Sequence, residues 1–450
     1  MIARRSIGAA LCIISLAGCA SIEVTTGFEE VSALVVERGG AGLSDASITD
    51  ALAADDIDQA AKPTGSISLG RALHLAVTNS PALRAEYARL AISRADVFQA
   101  SLLNNPTFDA NIGAGITGES ARFALGAVYP ILDLIYRKPR IEAARADFKA
   151  LQVEVAEAVI DHANDVTRAY LDLAQSKARL SAREDVVSVV SDQFDAIEKL
   201  VVNGSIDSSY LAQSQATLTK AEIARDAELS EREAVRTKLA SLIGSALSSP
   251  LDTTLPLDEI GENIETVESL TAQALHQRLD IIRAEQEVAI LKLALENSGR
   301  LFSEDGQELG LELESEDSER FLGPSIAVEV PIFNRGKYRQ AKAMAELIEA
   351  ERRLSALEHS VKVAIHIAHQ RVTARRRTAL AHQDKLIPSA RTLATLARES
   401  LNVGAIDVAD FLEAQLAIGD ASLEAIDAKA DYWSARAELA KAVGGWPSTL

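Results

Sequence analysis

The sequence predicts a mainly α-helical protein with a small β part, in which a long α-helical hairpin and a β-hairpin each occur twice. Two observations lead to this fold class. Long stretches carry apolar residues at helical spacing, whereas short paired segments alternate apolar and polar residues, which is typical of strands. The same order of segments also recurs about 200 residues later in the chain.

Matching phrases at nearly constant offsets mark the duplication. The pairs are Asn203-Gly204-Ser205-Ile206-Asp207 with Val403-Gly404-Ala405-Ile406-Asp407, Leu83-Arg84-Ala85 with Ile282-Arg283-Ala284, and Tyr129-Pro130 with Val330-Pro331. A period of this length exceeds that of solenoid repeats, so each copy is predicted to be a complete supersecondary unit.

The first repeat is predicted over residues 69–244 and a linker over 245–265. The first repeat contains a helix over 69–103, a β-hairpin over 107–130 and helices over 138–200 and 207–243. The second repeat, 266–445, has the same order: a helix over 266–298, a β-hairpin over 308–331 with strands at 308–315 and 324–331, and helices over 338–401 and 407–443.

Composition excludes several classes of protein. The 450 residues carry a net charge of -19, which leaves no basic face for nucleic acid. Aromatic residues make up only 4%, which is low for a compact core built on large rings. The two cysteines are Cys12 and Cys19, so neither a disulfide framework nor a thiol nucleophile is expected after residue 19.

The N-terminus predicts export and lipidation. Residues 1–18 read as a signal peptide, because Arg4 and Arg5 precede a short apolar stretch and small residues. Leu16-Ala17-Gly18-Cys19 resembles the bacterial lipobox, which predicts a covalent lipid (palmitate) on Cys19 and a lipidated N-terminal segment over 19–68. The alternative is an ordinary signal peptide with a buried cysteine. No later stretch is apolar over 18 residues, so no transmembrane helix is expected.

Several phrases resemble those of one family. Asn79-Ser80-Pro81-Ala82-Leu83 resembles its opening Asn-x-Pro-x-Leu, and Asn105-Pro106 precedes the first strand as it does there. The last strand is followed by Pro331-Ile332-Phe333-Asn334-Arg335-Gly336, and Gly404 by Asp410-Phe411-Leu412-Glu413-Ala414-Gln415. In this order, residues 69–445 resemble the TolC family of outer membrane efflux proteins, and Cys19 resembles that of its lipoprotein members.

This resemblance implies a homotrimer in the outer membrane, lipid-anchored and extending into the periplasm. Each chain would give four strands to one twelve-stranded transmembrane β-barrel, and the coiled-coil hairpins would form a hollow α-barrel. The implied function is a passive channel of a tripartite efflux or export system, opened by a periplasmic adaptor and an inner-membrane transporter of RND type. No cofactor other than the lipid, no metal, no nucleic acid and no enzymatic activity are expected.

Asp410 and Glu413 are the candidate gate residues. They lie one helical turn apart, shortly after Gly404, and in the family the matching acidic pair faces the pore. Three copies would form two carboxylate rings, which attract cations in a constriction. The alternative is a solvated helix face. The first repeat has Tyr210 at the position of Asp410, so the pair is not duplicated.

The hairpin tips are candidate docking sites for the adaptor. They are predicted at Asn203, Gly204 and Ser205 and at Val403, Gly404 and Ala405. The glycines permit a tight turn in any case, and docking is implied only by the resemblance.

Other readings of the sequence remain open at this stage. His359, His366 and His369 share one predicted helix, where an interhelical or solvated role is favoured over a metal site. A periplasmic coiled-coil lipoprotein without a pore, or a periplasmic adaptor, are the alternative functions, but neither explains two alternating hairpins. The sequence does not determine the exported substrate, although it favours metal cations.

Overall fold

The computed structural model describes residues 28–40, 65–114, 121–129, 132–248, 250–254, 260–261, 264–297, 307–316, 319–328 and 337–446. Its helices are α1 Phe28–Glu37, α2 Leu69–Asn79, α3 Pro81–Ser101, α4 Leu132–Val202, α5 Ser208–Leu242, α6 Val267–Gln277, α7 Leu279–Asn297, α8 Lys337–Ala381, α9 Ile387–Asn402 and α10 Val408–Val443. A π-helical segment, His382–Leu386, joins α8 to α9. The strands are β1 Gly65–Ile67, β2 Thr107–Ala114, β3 Ala121–Tyr129, β4 Leu251–Thr253, β5 Gln307–Glu316 and β6 Glu319–Val328.

The predicted mainly α-helical fold with a small β part is confirmed. The helices α4 and α5 form the first hairpin, and α8 to α10 form the second hairpin. The long helix predicted over 138–200 begins six residues earlier, at Leu132, and the helix predicted over 338–401 is interrupted by the π-helical segment. No described helix combines the length with the apolar composition that crossing a lipid bilayer requires.

Two compact units can be separated in the chain. One contains residues 90–148 and 304–328, and the other contains residues 28–89, 149–303 and 329–450. Each unit takes segments from both repeats, so neither repeat folds around a core of its own.

In the first of these units, four strands form an antiparallel sheet in the order β2-β3-β5-β6. The register pairs Ile112 with Phe123, Leu125 with Leu313, and Leu313 with Leu322. Because side chains alternate along a strand, these residues share one face of the sheet. That face exposes large apolar side chains to the surroundings, namely Phe108, Ile112, Phe123, Leu125, Leu311, Leu322 and Ile326.

The opposite face of the sheet carries mainly small and acidic residues, although the exposed ring of Phe321 also lies on it. One row across the strands runs from Asp109 to Gly126, Glu312 and Gly323, and the register places Glu314 on the same face. Asp109 occupies the space above Gly126, because a Cβ there would lie 2.3 Å from its Oδ1. The acidic residues at 312 and 314 therefore belong to a strand, as the sequence alternation suggests, and not to a surface loop.

The predicted strand at 308–315 is confirmed by β5, but the strand predicted at 324–331 is misplaced. The observed strand β6 begins at Glu319 and pairs Arg320 with Ser315. Gly323 and Pro324 are residues typical of turns, yet both lie inside β6. Pro324 is tolerated because β6 is the last strand of the sheet in this chain, and an edge strand can lack an N–H donor.

A buried carboxylate joins the end of α3 to the start of α4. Arg140 Nη1 donates to Asp133 Oδ1 at 2.6 Å, and the Asn104 amide N–H donates to Oδ2 at 3.1 Å. Arg140 also caps α3 by donating to the Leu102 carbonyl at 2.9 Å. Burial alone would raise the pKa of Asp133, but the hydrogen bonds from Arg140 and Asn104 outweigh it and lower the pKa below its ordinary value.

The opening helix of each repeat is broken once. The prediction of continuous helices over 69–103 and 266–298 is wrong in this respect. Ser80 separates α2 from α3, and Arg278 separates α6 from α7; both have extended backbone angles. Pro81 accounts for the first break, since it lacks an N–H and disfavours a helical residue before it. The two breaks, at Ser80 and Arg278, are 198 residues apart in the sequence. At this offset between the repeats, Leu83 corresponds to buried Ile281 and not to Ile282.

In each repeat, a glycine with left-handed backbone angles follows the last helix of the hairpin. This glycine lies against the break in the opening helix of the same repeat. Gly244 follows α5 with a φ of 64°, and Gly444 follows α10 with a φ of 82°. A Cβ on Gly244 would lie 2.4 Å from the Asn79 carbonyl oxygen, and one on Gly444 would lie 2.8 Å from Arg278 Cγ. Glycine is therefore required at both positions by backbone angle and by space.

Three short elements were not predicted from the sequence. The strands β1 and β4 pair in parallel and bring the predicted linker against the start of the first repeat. The helix α1 packs Phe28 edge-to-face on Tyr87, at 4.9 Å between ring centroids. At its other end, buried Arg38 donates to the Gln277 carbonyl at 2.7 Å, which satisfies a free carbonyl at the second break.

Candidate functional site

The two predicted hairpin tips have the same backbone structure. Gly204 and Gly404 adopt left-handed angles, with φ of 70° and 72°. Ser205 N donates to the Leu200 carbonyl at 2.8 Å, and Ala405 N donates to the Ser400 carbonyl at 2.9 Å. These bonds satisfy helix carbonyls that would otherwise be free. Asn203 and Val403 are exposed at the tips, and Val403 is 80% exposed.

An aspartate begins the returning helix of each hairpin. Asp207 Oδ1 accepts from Ser209 N at 2.8 Å, and Asp407 Oδ1 accepts from Asp410 N at 2.9 Å. These are N-caps, which satisfy an amide that has no partner within the helix. The hydrogen bonds from the Ser209 hydroxyl and amide lower the pKa of Asp207.

Asp410 lies in the first turn of α10 and Glu413 lies one turn further on, and both side chains are exposed. The helix places them on neighbouring positions of one surface, as their spacing predicts. The cap formed by Asp407 fixes the amide of Asp410 itself, so the tip turn and the acidic pair form one local structure. Tyr210, at the matching place in the first repeat, is half-buried.

An arginine that sequence analysis missed connects the two hairpins. Arg179 of α4 donates through Nη1 to both carboxylate oxygens of Asp427 on α10, at 2.6 and 2.7 Å. Its Nε donates to Glu228 of α5 at 3.0 Å, and Gln175 donates to Asp427 at 2.8 Å. The hydrogen bond to Asp427 is the main reason that the pKa of Arg179 is raised. Its partners are 49 and 248 residues away in sequence, so no local pattern signals them.

Close contact between α4 and α10 extends from this arginine towards the tips. Val186 lies against Gly419, where an added Cβ would come within 2.5 Å of Val186 Cγ2. Further from the tips, Lys441 pairs with Asp161 at 2.9 Å. The two helices therefore run antiparallel, with their contact extending over more than half of α10.

Two of the three histidines of α8 have hydrogen-bond partners in the structure. His366 Nε2 lies 3.1 Å from Gln370 Nε2, and His369 Nε2 lies 3.1 Å from the Glu265 carbonyl. His359 is exposed. Within the described residues, no three His, Cys, Asp or Glu side chains are grouped to hold a metal ion.

Two groups of residues with predicted roles lie outside the described part of the chain. The signal peptide 1–18 and Cys19 lie outside the described residues, as does Pro331-Ile332-Phe333-Asn334-Arg335-Gly336. Their predicted roles stay predictions.

Two long helical hairpins and a four-stranded sheet, apolar on one exposed face, make up a fold that solved outer membrane channels share. Residues 72–245 match the family model described as "Outer membrane efflux protein". Over these residues the chain is similar to that family, in line with the resemblance to the TolC family.

Solved structures share the fold over 84% of the chain. CusC has a TM-score of 0.68 and 16% identity, with 92% of its chain covered. The CmeC channel of Campylobacter jejuni has a TM-score of 0.66 and 16% identity, with 85% covered. VceC of Vibrio cholerae has the same score and identity, with 96% covered.

A relative by sequence is the nickel-cobalt-cadmium resistance protein NccC of Alcaligenes xylosoxydans xylosoxydans. It is 24% identical over 199 residues, which are 43% of this chain. The match spans only 45% of the length of NccC.

The cap at Asp407 provides a test of the tip structure. Replacing Asp407 with Ala removes the acceptor for Asp410 N, and we expect the first turn of α10 to lose about 1 kcal/mol. Amide hydrogen exchange at Asp410 and Phe411 should then be roughly fivefold faster. Asp407→Asn keeps the acceptor without the charge and should exchange nearly as wild type. Equal exchange in Asp407→Ala and wild type would show that the cap does not hold this turn.

Proposed function

We propose that the protein is the outer membrane channel of a tripartite export system and acts as a passive conduit without enzymatic activity. The observation that carries this proposal is the division of the four-stranded sheet into an exposed apolar face and a face of mainly small and acidic residues. An apolar face of this kind suits a lipid environment, and the acidic face suits water.

The sheet favours a trimer in this proposal. Its outer strands β2 and β6 leave backbone donors and acceptors unpaired at two edges, which lipid does not tolerate. Three copies would pair these edges into a closed twelve-stranded barrel. The exposed helical hairpins would likewise contact other copies in the periplasm, and their tips would dock on an adaptor.

The carboxylates of Asp410 and Glu413 are proposed to form the narrow gate. This proposal is supported by the exposure of both side chains in the first two turns of α10, directly after the tip. Rings of like charge at a constriction attract cations and resist anions, so the gate would bind multivalent cations from the periplasm.

Neutralising the pair tests the gate. In Asp410→Asn/Glu413→Gln, we expect single-channel conductance in planar bilayers to rise and block by multivalent cations to weaken by about tenfold or more, because two rings of charge are lost. Asp420→Asn, an exposed change on the same helix, is the control and should behave as wild type. Unchanged conductance and block in the double variant would rule out this gate.

Divalent metal cations are proposed as the exported substrates. The sequence match to NccC supports this, and so do Asp109, Glu312 and Glu314 on the water face of the sheet. A transporter of RND type is the proposed energy source.

Growth tests can separate this substrate class from others. A strain lacking the gene should become sensitive to nickel, cobalt or cadmium salts, and the wild-type gene should restore growth. Sensitivity to organic drugs alone would overturn the metal proposal while leaving the channel intact. An ATP-driven transporter encoded beside the gene would overturn the RND partner.

A lipid on Cys19 is proposed as an additional membrane anchor. It is supported by the phrase Leu16-Ala17-Gly18-Cys19, which resembles a lipobox. Labelled palmitate should enter the wild-type protein and not Cys19→Ala. Equal labelling of both proteins would contradict lipidation at this residue.

A further inference from the structure

A cavity of about 450 Å³ lies between α4, α8 and α10, beside the break at Arg278. Its volume falls within the range of about 300–1,000 Å³ that small-molecule sites have. Glu438 of this cavity and Glu413 of the proposed gate both belong to α10, and at 1.5 Å per residue they are about 37 Å apart along the helix. The cavity is therefore separate from the gate.

Part of the cavity lining is apolar. It consists of Ile160 of α4, Leu279 at the start of α7, and Ile367 and Ala368 of α8. Three of these side chains are buried, whereas Ile367 is 45% exposed. A hydrocarbon group bound against them would remove apolar surface from water, which is favourable in proportion to the area covered. The cavity therefore fits a ligand with an apolar body.

Every positive charge in the lining already has a carboxylate partner there. The ion pairs are Arg278 with Asp280 at 2.6 Å, Lys441 with Asp161 at 2.9 Å, and Arg371 with Glu438 at 3.2 Å. Arg278 is held further by donating to the Ala442 carbonyl at 2.7 Å. An anionic ligand would have to compete with these carboxylates for each cation, so the lining disfavours an anion.

Glu157 is the fourth carboxylate of the lining, and its ion pair is made outside the cavity. Its partner is Arg283 of α7, at 3.4 Å, which does not line the cavity. Burial raises the pKa of Glu157, and the charges of Asp280 and Asp161 act in the same direction. The positive charges of Arg283 and Arg278 oppose this effect without cancelling it. The negative charge of Glu157 is therefore incompletely balanced, which favours a cation in the cavity.

We propose that this cavity binds an organic ammonium ion, whose charged group donates to Glu157 and whose apolar body contacts Ile160, Leu279 and Ile367. The Glu157 side chain is 31% exposed, so a ligand can reach its carboxylate. A metal ion fits less well, because the described residues contain no group of three His, Cys, Asp or Glu side chains arranged to hold one. The site goes beyond the proposed function, since it needs neither the gate nor the exported cargo.

Three probes of similar size and different charge test the site on the purified full-length protein. We expect 2-phenylethylammonium to bind saturably in titration calorimetry, and the neutral 2-phenylethanol and the anionic 3-phenylpropionate to bind at least about tenfold more weakly, because they lose the charged contact to Glu157. A lack of saturable binding of 2-phenylethylammonium would overturn the site. Equal binding of the alcohol or of the anion would overturn its preference for an ammonium ion.

Glu157→Gln tests the carboxylate. We expect the affinity for 2-phenylethylammonium to fall by about tenfold, because a charge-assisted hydrogen bond becomes a neutral one. Glu154→Gln is the matched control and should bind as wild type, since Glu154 lies one turn earlier on α4 and pairs with Arg89 at 2.9 Å. Equal affinity in Glu157→Gln and in wild type would contradict the assignment.

The pH dependence of binding separates a direct contact from a structural role of Glu157. Protonation removes the negative charge of Glu157, so the affinity of the wild type should decrease as the pH falls from neutral through its raised pKa. The probe stays charged over this range, as a lysine side chain does. In Glu157→Gln this decrease should be largely absent. The same pH profile in both proteins would overturn the contact.

Ile367→Ala tests the apolar part of the site. We expect the affinity for 2-phenylethylammonium to fall several-fold, because apolar contact area is lost. Val363→Ala is the matched control, since Val363 lies one turn earlier on α8, is also 45% exposed and does not line the cavity. Equal affinity in Ile367→Ala and in wild type would overturn the apolar contact.

The site and the channel can fail separately. Asp410→Asn/Glu413→Gln should bind 2-phenylethylammonium as wild type, because the gate is distant from the cavity. A protein that binds the probe but shows no conductance in planar bilayers would refute the channel and support the site. A protein that conducts but does not bind the probe would refute the site alone.

Discussion

Close approach of long helices through small side chains is the constraint on which the helical part of the structure depends. The buried residues of α8 are largely alanine, valine and isoleucine, and those of α10 are largely alanine. Such contacts bring helix axes together but bury little apolar area per residue. The helices therefore need each other over their whole length, and partly exposed ion pairs such as those of Arg179 with Glu228 and Asp427 join them. The low aromatic content follows from the same packing.

The two hairpins share one framework because the chain is duplicated, and they differ at a few local positions. Both hairpins end in a left-handed glycine and restart at a capping aspartate. The second copy alone has Asp410 in place of Tyr210 and Pro388 in place of Ser188. The second hairpin thus combines the exposed acidic pair with a π-helical segment, whereas α4 of the first hairpin is one continuous α-helix.

Sequence reasoning succeeded where a local signal exists. Gly204, Gly404 and the aspartates that follow fixed the helix ends within one or two residues, because turn and cap chemistry is local. It missed the break at Ser80, although Pro81 is a local signal for it, and the break at Arg278, which has no proline. It also missed the three-residue strands, which are too short to show alternation. The contacts of Arg179 depend on three helices meeting, so no single segment of sequence encodes them.

Gly244 lies against Asn79, and Gly444 lies against Arg278. The start and the end of each repeat therefore lie close together. Each hairpin thereby leaves its base and returns to the same place. Whole helical turns added to both arms would lengthen the hairpin without moving its base. Hairpin length can in this sense change while the base of each hairpin stays the same.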